Sequence, residues 1–439
     1  MEQQAPLDAC PGILTLHPAR DGHVARIRLP GGYVTRRQWN ALATLAADFG
    51  DGCLDLTARG NVQLRGLRPT AAAELARRAT GAGLLPSGAH DRSRNITASP
   101  LAGLPGHPPL RRLVSALDAA LIADQQLAAL PGRFLCAVDD GAGGAALTDS
   151  DLGLRRSGGR VELFVAGRPA GVTVPVRAAV PAVLTAARAA IALGIGSDVT
   201  RIRDLPDGGA SVAAAIGGSL GPPAPADDGR LPLGIIAGTF TAARTAAASG
   251  AVAVSNGAPA SEPAAGPALP DDPAADSFSG SAAAWDDAVA VVAAPLGRLT
   301  GAQTASIGGL LRFGEVIRLA PAGRLVLPLS VPPDAQANRI SIARLADAGL
   351  LTSDDDDLAG VTACSGLACA RAVADVRAAA RPLPGHPRTH WVGCPRGCGK
   401  PRDAESVTAA GPDTYLVPGQ HEPRSLAQLT SFNLSAGTS

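Results

Sequence analysis

The sequence predicts an α+β protein built on a duplicated β-α-β-β-α unit. Three observations carry this. Strand-like and helix-like patterns follow one another in that order over residues 24–83. The same order, with matching residues, returns from residue 292. The Thr that would cap the first helix recurs at the matching place in the second copy.

In the first copy, "VARIRL" (24–29) alternates like a strand, and "GGYVT" reads as a turn of the chain. "RRQWNALATLAADFG" has apolar spacing suited to a helix, with Thr35 as its N-cap. "GCLDLT" reads as a strand, "ARGN" as a turn and "VQLRGL" as a second strand. "TAAAELARRATGAG" reads as a helix with Gly81 and Gly83 near its end. This is the order of ferredoxin-like α+β units, and residues 1–88 are expected to form one half-domain.

The second copy supports a duplication. Pro30 matches Pro295, Thr35 matches Thr300, Leu45 matches Leu310 and Phe49 matches Phe313. After a two-residue gap, Gly60 matches Gly323 and Leu64 matches Leu327. A second half-domain over 285–350 should pair with the first into one pseudo-symmetric domain. Residues 89–256 read as an α+β lobe, with strands near "GRFLCAV" and "RVELFVAG" and a helix at 180–194. Residues 257–284 have no basic residue and are rich in Ala, Pro, Ser, Gly and Asp, so they read as a disordered linker. Residues 351–439 carry a cluster of cysteines.

Composition narrows the function classes. At 439 residues the chain is too long for one ordinary core. Lys plus Arg is 39 and Asp plus Glu is 38, so the net charge of +1 predicts no general attraction to nucleic acid or anionic membrane. Aromatics at 3% leave little for base-stacking platforms. "MEQQAPLDACPG" has neither a basic n-region nor an apolar h-region, and Arg188 interrupts the most apolar helix. These features predict a cytoplasmic protein without a signal peptide or membrane span.

Of seven cysteines, Cys10, Cys53 and Cys136 are isolated and read as small core or frayed-end residues. The other four follow Cys364-x4-Cys369 and Cys394-x3-Cys398. An odd, uneven set argues against a secreted disulfide framework and for a metal or cluster site. A structural zinc site usually has two residues between paired ligands, whereas a 4Fe–4S cube tolerates longer loops. Gly393, Gly397 and Gly399 would let backbone N–H groups approach inorganic sulfides, and Pro395 would stiffen the last loop. The iron–sulfur reading is preferred, with zinc and unligated cysteines as alternatives. His386 and His390 read as non-ligands, and "DDDD" (354–357) as a solvated loop.

"GCPRGCG", the Cys-x4-Cys loop, "DLTARGNVQLRGL" and the duplicated half-domains together resemble the sulfite/nitrite reductase superfamily. The resemblance covers nearly the whole chain except 257–284. It implies that fold, with two α/β lobes around a tetrapyrrole cavity. It also implies a 4Fe–4S cluster on Cys364, Cys369, Cys394 and Cys398, with Cys398 where the reductases bridge to sirohaem iron. One departure is the first loop, which has four residues between its thiols where the reductases commonly have five. Tetrapyrrole-binding positions carry over as Arg59, Asn61 and Gln63 from the "T-x-R-x-x-x-Q" turn, and Arg94 and Asn95 from an "R-N" element. In the "P-x-K-F-K" stretch, here "PGRFL", Arg133 and Leu135 stand where the reductases have two lysines. Independently of the family, a polycarboxylated macrocycle held by a nearly neutral chain needs local arginines, whose guanidinium forks match carboxylates.

The lost lysines shift the expected chemistry. Lysine can donate a proton and be reprotonated, and arginine cannot. Within the superfamily the chain therefore resembles the branch that hydroxylates a precorrin with O2 in aerobic cobalamin biosynthesis. The alternative is a sirohaem-dependent sulfite or nitrite reductase, and a non-catalytic iron–sulfur or zinc protein is the third reading. The resemblance adds a mononuclear non-haem iron with no assignable ligands. It also adds an electron donor, a ferredoxin or an NAD(P)H-linked reductase.

Overall fold

The computed structural model describes residues 10–145, 147–224, 231–237, 288–312, 314–329, 335–383, 385–401 and 403–429. The expected linker at 257–284 and the repeat residue Phe313 lie outside the described residues.

The first half-domain contains the predicted β-α-β-β-α order with two further short strands, β1 and β3: β1 (His17–Ala19), β2 (Gly22–Ile27), β3 (Tyr33–Thr35), α1 (Arg36–Phe49), β4 (Leu54–Leu56), β5 (Val62–Leu67) and α2 (Ala72–Gly81). Thr35 caps α1 in a full capping box: its hydroxyl accepts from the Gln38 N–H while the Gln38 amide oxygen accepts from the Thr35 N–H. The spacing of Trp39, Leu42, Leu45 and Ala46 buries one face of α1.

The middle lobe comprises β6 (Ile96–Ala98), α3 (Arg111–Ala123), β7 (Cys136–Asp139), β8 (Leu152–Ser157), β9 (Arg160–Val165), β10 (Arg168–Pro175), α4 (Val176–Ala192) and α5 (Ala210–Ala215). Its sheet runs β10-β9-β8-β7-β6, and β6, β7 and β8 are parallel. The apolar helix expected at 180–194 is α4, which packs Val180, Val183 and Ala187 into this lobe's core. Among the described residues no helix is long and apolar enough to cross a membrane.

The second copy comprises β11 (Gly234–Ala237), β12 (Ala288–Ala293), β13 (Arg298–Leu299), α6 (Gly301–Leu310), β14 (Val316–Ala320), β15 (Arg324–Pro328) and α7 (Ala335–Asp347). Thr300 and Gln303 repeat the capping box of Thr35 and Gln38. Gly60 and Gly323, matched in sequence, both have left-handed φ, +68° and +70°. A Cβ on Gly60 would lie 2.8 Å from the Leu319 carbonyl oxygen, so side chains are excluded there on two counts.

The two halves exchange strands. The sheets run β1-β2-β5-β4-β13 and β11-β12-β15-β14-β3, so each takes its fifth strand from the other copy. β13 pairs with β4 through Arg298↔Asp55, and β3 pairs with β14 through Arg318↔Tyr33. This corrects the reading of "GGYVT" as only a turn: its last three residues are a strand whose partner lies far along the chain. One core holds both halves, with Trp39, Leu42 and Val62 packed beside Ile307, Ile317 and Leu325. The Trp39 Nε1–H donates to the Thr304 carbonyl at 2.9 Å, tying α1 to α6.

The C-terminal lobe comprises β16 (Val361–Ala363), α8 (Val376–Ala379), β17 (Thr389–Val392), β18 (Glu405–Gly411), β19 (Thr414–Leu416) and β20 (Arg424–Ser425). β16, β17 and β18 are parallel. Trp391 and Tyr415 meet edge to face, ring centroids 5.2 Å apart, in its core.

Candidate functional site

Both cysteine pairs leave the carboxyl ends of adjacent parallel strands. Cys364 directly follows β16 and Cys394 lies just past β17. Such strand ends collect functional loops in α/β sheets. The Cys364 N–H donates to the Trp391 carbonyl at 2.9 Å, and the Cys364 Sγ accepts from the N–H of Gly366 at 3.4 Å and of Gly393 at 3.3 Å. Gly393 has no room for a side chain: a Cβ there would lie 2.6 Å from the Ala372 Cβ. Gly397 and Gly399 take φ of +60° and +84°, which bends the second loop back. His390 is buried and neutral, its pKa lowered to about 4 chiefly by burial. Its Nε2–H donates to the Cys398 carbonyl at 3.0 Å, so its Nδ1 accepts from the Thr362 hydroxyl at 2.8 Å.

The four thiols share one locality. Burial raises the Cys398 pKa, Arg396 opposes this, and the charges of Cys394, Cys369 and Cys364 raise it further. All four are free thiols. Among the described residues, no three His, Cys, Asp or Glu side chains converge on one metal point. A single zinc holds each sulfur at about 2.3 Å and so draws them within about 4.6 Å of one another. A cube gives each thiolate its own iron and spreads the set. The N–H groups of Gly366 and Gly393, both aimed at the Cys364 Sγ, are the backbone donors that a thiolate ligand of a cube receives. Cys136 is buried in β7 with its thiol pushed up to about 12, chiefly by burial, which suits a core residue.

The cysteine lobe lies against the outer face of the first sheet, and that face is charged. Arg26, Gln63, Asp55 and Arg298 form one row across β2, β5, β4 and β13. With its amide oxygen toward Arg26, Gln63 accepts from Arg26 Nη2 at 2.7 Å and Nε at 3.2 Å. Asp55 is paired with Arg298 at 3.2 Å and with Arg377 of α8 at 3.7 Å. Arg396, between Cys394 and Cys398, joins Arg26 and Arg65 in lowering the pKa of His17, after burial as the largest cause. The corresponding row of the second sheet is Val291, Val326, Arg318 and Tyr33, and its valines pack with Leu104 and Leu231. The first row carries two guanidiniums, Arg26 and Arg298, and the second carries one, Arg318, beside two valines.

The residues carried over by resemblance come together in part. Asn61 accepts from the Leu29 N–H at 2.9 Å and donates to Asn95 Oδ1 at 3.0 Å, and Asn95 donates to the Phe134 carbonyl at 3.1 Å. Arg59 Nη1 donates to the Arg133 carbonyl at 3.0 Å, and Arg133 itself is exposed. Three distant segments thus meet at one seam. Burial lowers the Arg59 pKa to about 10, so it stays cationic at neutral pH. Arg94 is different: its guanidinium forks Asp118 of α3 at 2.8 and 2.7 Å, with its side chain 6% exposed. Leu135 is buried, and its N–H donates to Asp151 Oδ2 at 2.8 Å. Asp151 also pairs with Arg201 at 2.7 Å. Asp149 lies 3.8 Å from Arg59 and 3.2 Å from Arg203. Arg26, Arg201 and Arg203 were not singled out in the sequence. The alternation of "VARIRL" could have flagged Arg26, because it puts a cation on the non-core face.

The Asn61–Asn95 link gives a first expectation. Asn61→Ala removes the acceptor for a buried N–H and leaves Asn95 one partner short. Unfolding in urea should show a loss of about 2–4 kcal/mol.

Comparison with known proteins agrees with this geometry. The nitrite/sulfite reductase ferredoxin-like half domain matches residues 17–81. A solved structure of Mycobacterium tuberculosis NirA superimposes with a TM-score of 0.66 over 94% of this chain and 79% of that one, at 17% identity. The chain carries a nitrite/sulfite reductase ferredoxin-like half domain and shares the fold of the NirA structure. Among curated relatives, the ferredoxin–nitrite reductase of Synechococcus elongatus is 38% identical over 127 residues, 27% of this chain and 25% of the relative. A precorrin-3B synthase from Sinorhizobium sp is 41% identical over 68 residues, 16% of this chain and 15% of the relative. The matched stretches thus span a quarter or less of these sulfite/nitrite reductase-like relatives, and both are named as enzymes.

Proposed function

We propose that the protein is a precorrin-3B synthase, which oxidises precorrin-3A with O2. A hydroxyl enters at meso carbon C20 and the ring A acetate closes a γ-lactone, giving precorrin-3B for aerobic cobalamin biosynthesis. The cavity would lie between a first half-domain (1–88), a middle lobe (89–256) and a cluster lobe (351–439), with 285–350 as the second half-domain.

The observation that carries this reading is the chemistry of Arg133 and Leu135. Lys400 is the only lysine in the chain, so Arg for Lys is general here and Arg133 alone says little. Leu135 says more, because it is not a cation. Lys400 itself is exposed, with its ammonium donating to the Ala404 carbonyl at 3.0 Å. The cations around Arg59 are therefore guanidiniums, which attract carboxylates but do not deliver protons. That suits a polycarboxylated organic substrate better than multi-proton reduction of an oxyanion.

Arg59, Arg26 and Gln63 would grip substrate carboxylates, with Asn61 and Asn95 fixing the turn that presents them. Leu135 would keep water from the ring. Cys364, Cys369, Cys394 and Cys398 would hold a 4Fe–4S cube. Bound there, a cube would supply single electrons, the form of delivery by which O2 avoids the spin barrier to reaction with a closed-shell substrate. One oxygen atom enters the product, and the other leaves as water with two electrons and two protons. The names of the nitrite reductase relatives support a ferredoxin as the electron donor.

The longer match to nitrite reductases favours one second reading, a sirohaem-dependent reductase. The test is anaerobic incubation of the reconstituted protein with precorrin-3A and a reductant, followed by O2. The expected result is an O2-dependent mass gain of one oxygen, with a broad brown spectrum before substrate. A tightly held Soret band and no mass gain would establish the reductase instead. Leu135→Lys should cut precorrin turnover about tenfold or more, since a buried ammonium must be desolvated or displace its neighbours.

A further inference from the structure

We propose that the Arg65–Asp21 ion pair fastens the Cys369 loop to the substrate-facing sheet and sets the electrostatics of the cluster. The inference rests on the reading of the four cysteines as holders of a 4Fe–4S cube.

Arg65 lies on β5, two residues beyond Gln63, and only 6% of its side chain is exposed. Its Nε and Nη2 fork Asp21 at 2.9 and 3.0 Å. Nη2 also donates to the Ala368 carbonyl at 3.2 Å, in the residue directly before Cys369. The Arg20 N–H donates to that same carbonyl at 3.0 Å, and Arg20 Nη1 reaches the Ala372 carbonyl at 3.5 Å. Ala19 pairs with Gly22, so Arg20 and Asp21 are the two-residue tip of the β1–β2 hairpin. The hairpin tip and Arg65 therefore grip carbonyls on both sides of Cys369.

The first half-domain thus fixes a thiol of the C-terminal lobe across more than 300 residues of sequence. Three bonds from one buried guanidinium leave it little freedom. Its positive charge lies one residue from a cluster ligand. A fixed cation there favours the more negative, reduced state of a cube and raises its potential. Asp21 offsets part of that charge, so the two partners should act with opposite sign. Both are positioning residues.

The experiment uses the full-length protein, reconstituted anaerobically, as wild type, Arg65→Gln, Arg65→Lys and Asp21→Asn. Arg77→Gln, on an exposed helix surface, is the control. Readouts are iron release to a chelator, the cluster midpoint potential by EPR-monitored titration, and the Tm of iron-free protein. Arg65→Gln should release iron about tenfold faster and lower the potential. Asp21→Asn should raise the potential, and Arg65→Lys should keep the potential near wild type while still releasing iron faster. Iron-free Tm values close to wild type separate this from general unfolding. Wild-type protein that holds the cube, with Arg65→Gln and Asp21→Asn unchanged in both release and potential, overturns the fastener. Potentials that shift in the same direction for both variants overturn the electrostatic role. Wild-type protein with no iron or sulfide overturns the cluster reading, and the fastener with it. Should Arg65→Gln not fold, the sign of the Asp21→Asn shift decides.

Discussion

Cys364→Ser should empty the cluster site: iron and acid-labile sulfide are expected to fall from near-stoichiometric to background in anaerobically purified protein. The thiolate would be the ligand, and a serine hydroxyl neither ionises readily at neutral pH nor matches the softness of sulfur for iron. Cys364 is also held in place by a hydrogen bond from its own N–H to the Trp391 carbonyl and by two backbone N–H donors to its sulfur. Losing it removes a preorganised corner. Cys53→Ser is the matched control, since Cys53 belongs to the first half-domain and is not one of the four clustered cysteines, and it should leave the iron content unchanged. Equal loss of iron in both variants would mean that the metal comes from general thiol binding.

The second large effect concerns the carboxylate grip. Arg59→Gln should weaken binding of a uroporphyrin-type tetrapyrrole by about 10- to 100-fold, from the loss of one or two charge-assisted hydrogen bonds of about 1.5–3 kcal/mol. Quenching of uroporphyrin fluorescence on titration reads this directly. Arg94→Gln is expected to behave differently, although the resemblance puts both arginines on the tetrapyrrole face. The Arg94 guanidinium is already committed to Asp118, so its loss strands a largely buried carboxylate. The expected cost is about 3 kcal/mol of folding stability, with little change in affinity for protein that remains folded. Loss of affinity in Arg94→Gln at unchanged stability would return Arg94 to the binding face.

The contrast between these arginines marks where sequence reading stops. Local signals survived the fold: the Thr35–Gln38 capping box, its echo at Thr300–Gln303, and the glycines at 60 and 323 each have a short-range cause that the sequence displays. The two cysteine loops lie side by side, with the Gly393 N–H donating to the Cys364 Sγ, as the spacing of the two pairs suggests. The partners of buried charges were not legible. Arg94 is satisfied by an aspartate 24 residues on, and Arg65 by a hairpin tip 44 residues back together with a carbonyl in another lobe. No periodicity encodes such pairings, because they arise only when lobes dock. The exchanged strands were missed for the same reason. β13 has two residues and β3 has three, too few for any alternation to register, and each is a strand only because a distant edge lies beside it.

That exchange also governs how the chain can be made. During synthesis the amino-terminal sheet emerges early but stays one strand short until Arg298 and Leu299 leave the ribosome. Until then the outer edge of β4 offers unpaired N–H and C=O groups to whatever strand passes. The nascent polypeptide therefore spends most of its translation with a sticky flank, and closing it requires a contact 243 residues apart in sequence. Slow maturation is expected from this arrangement, and neither repeat alone would be a finished unit.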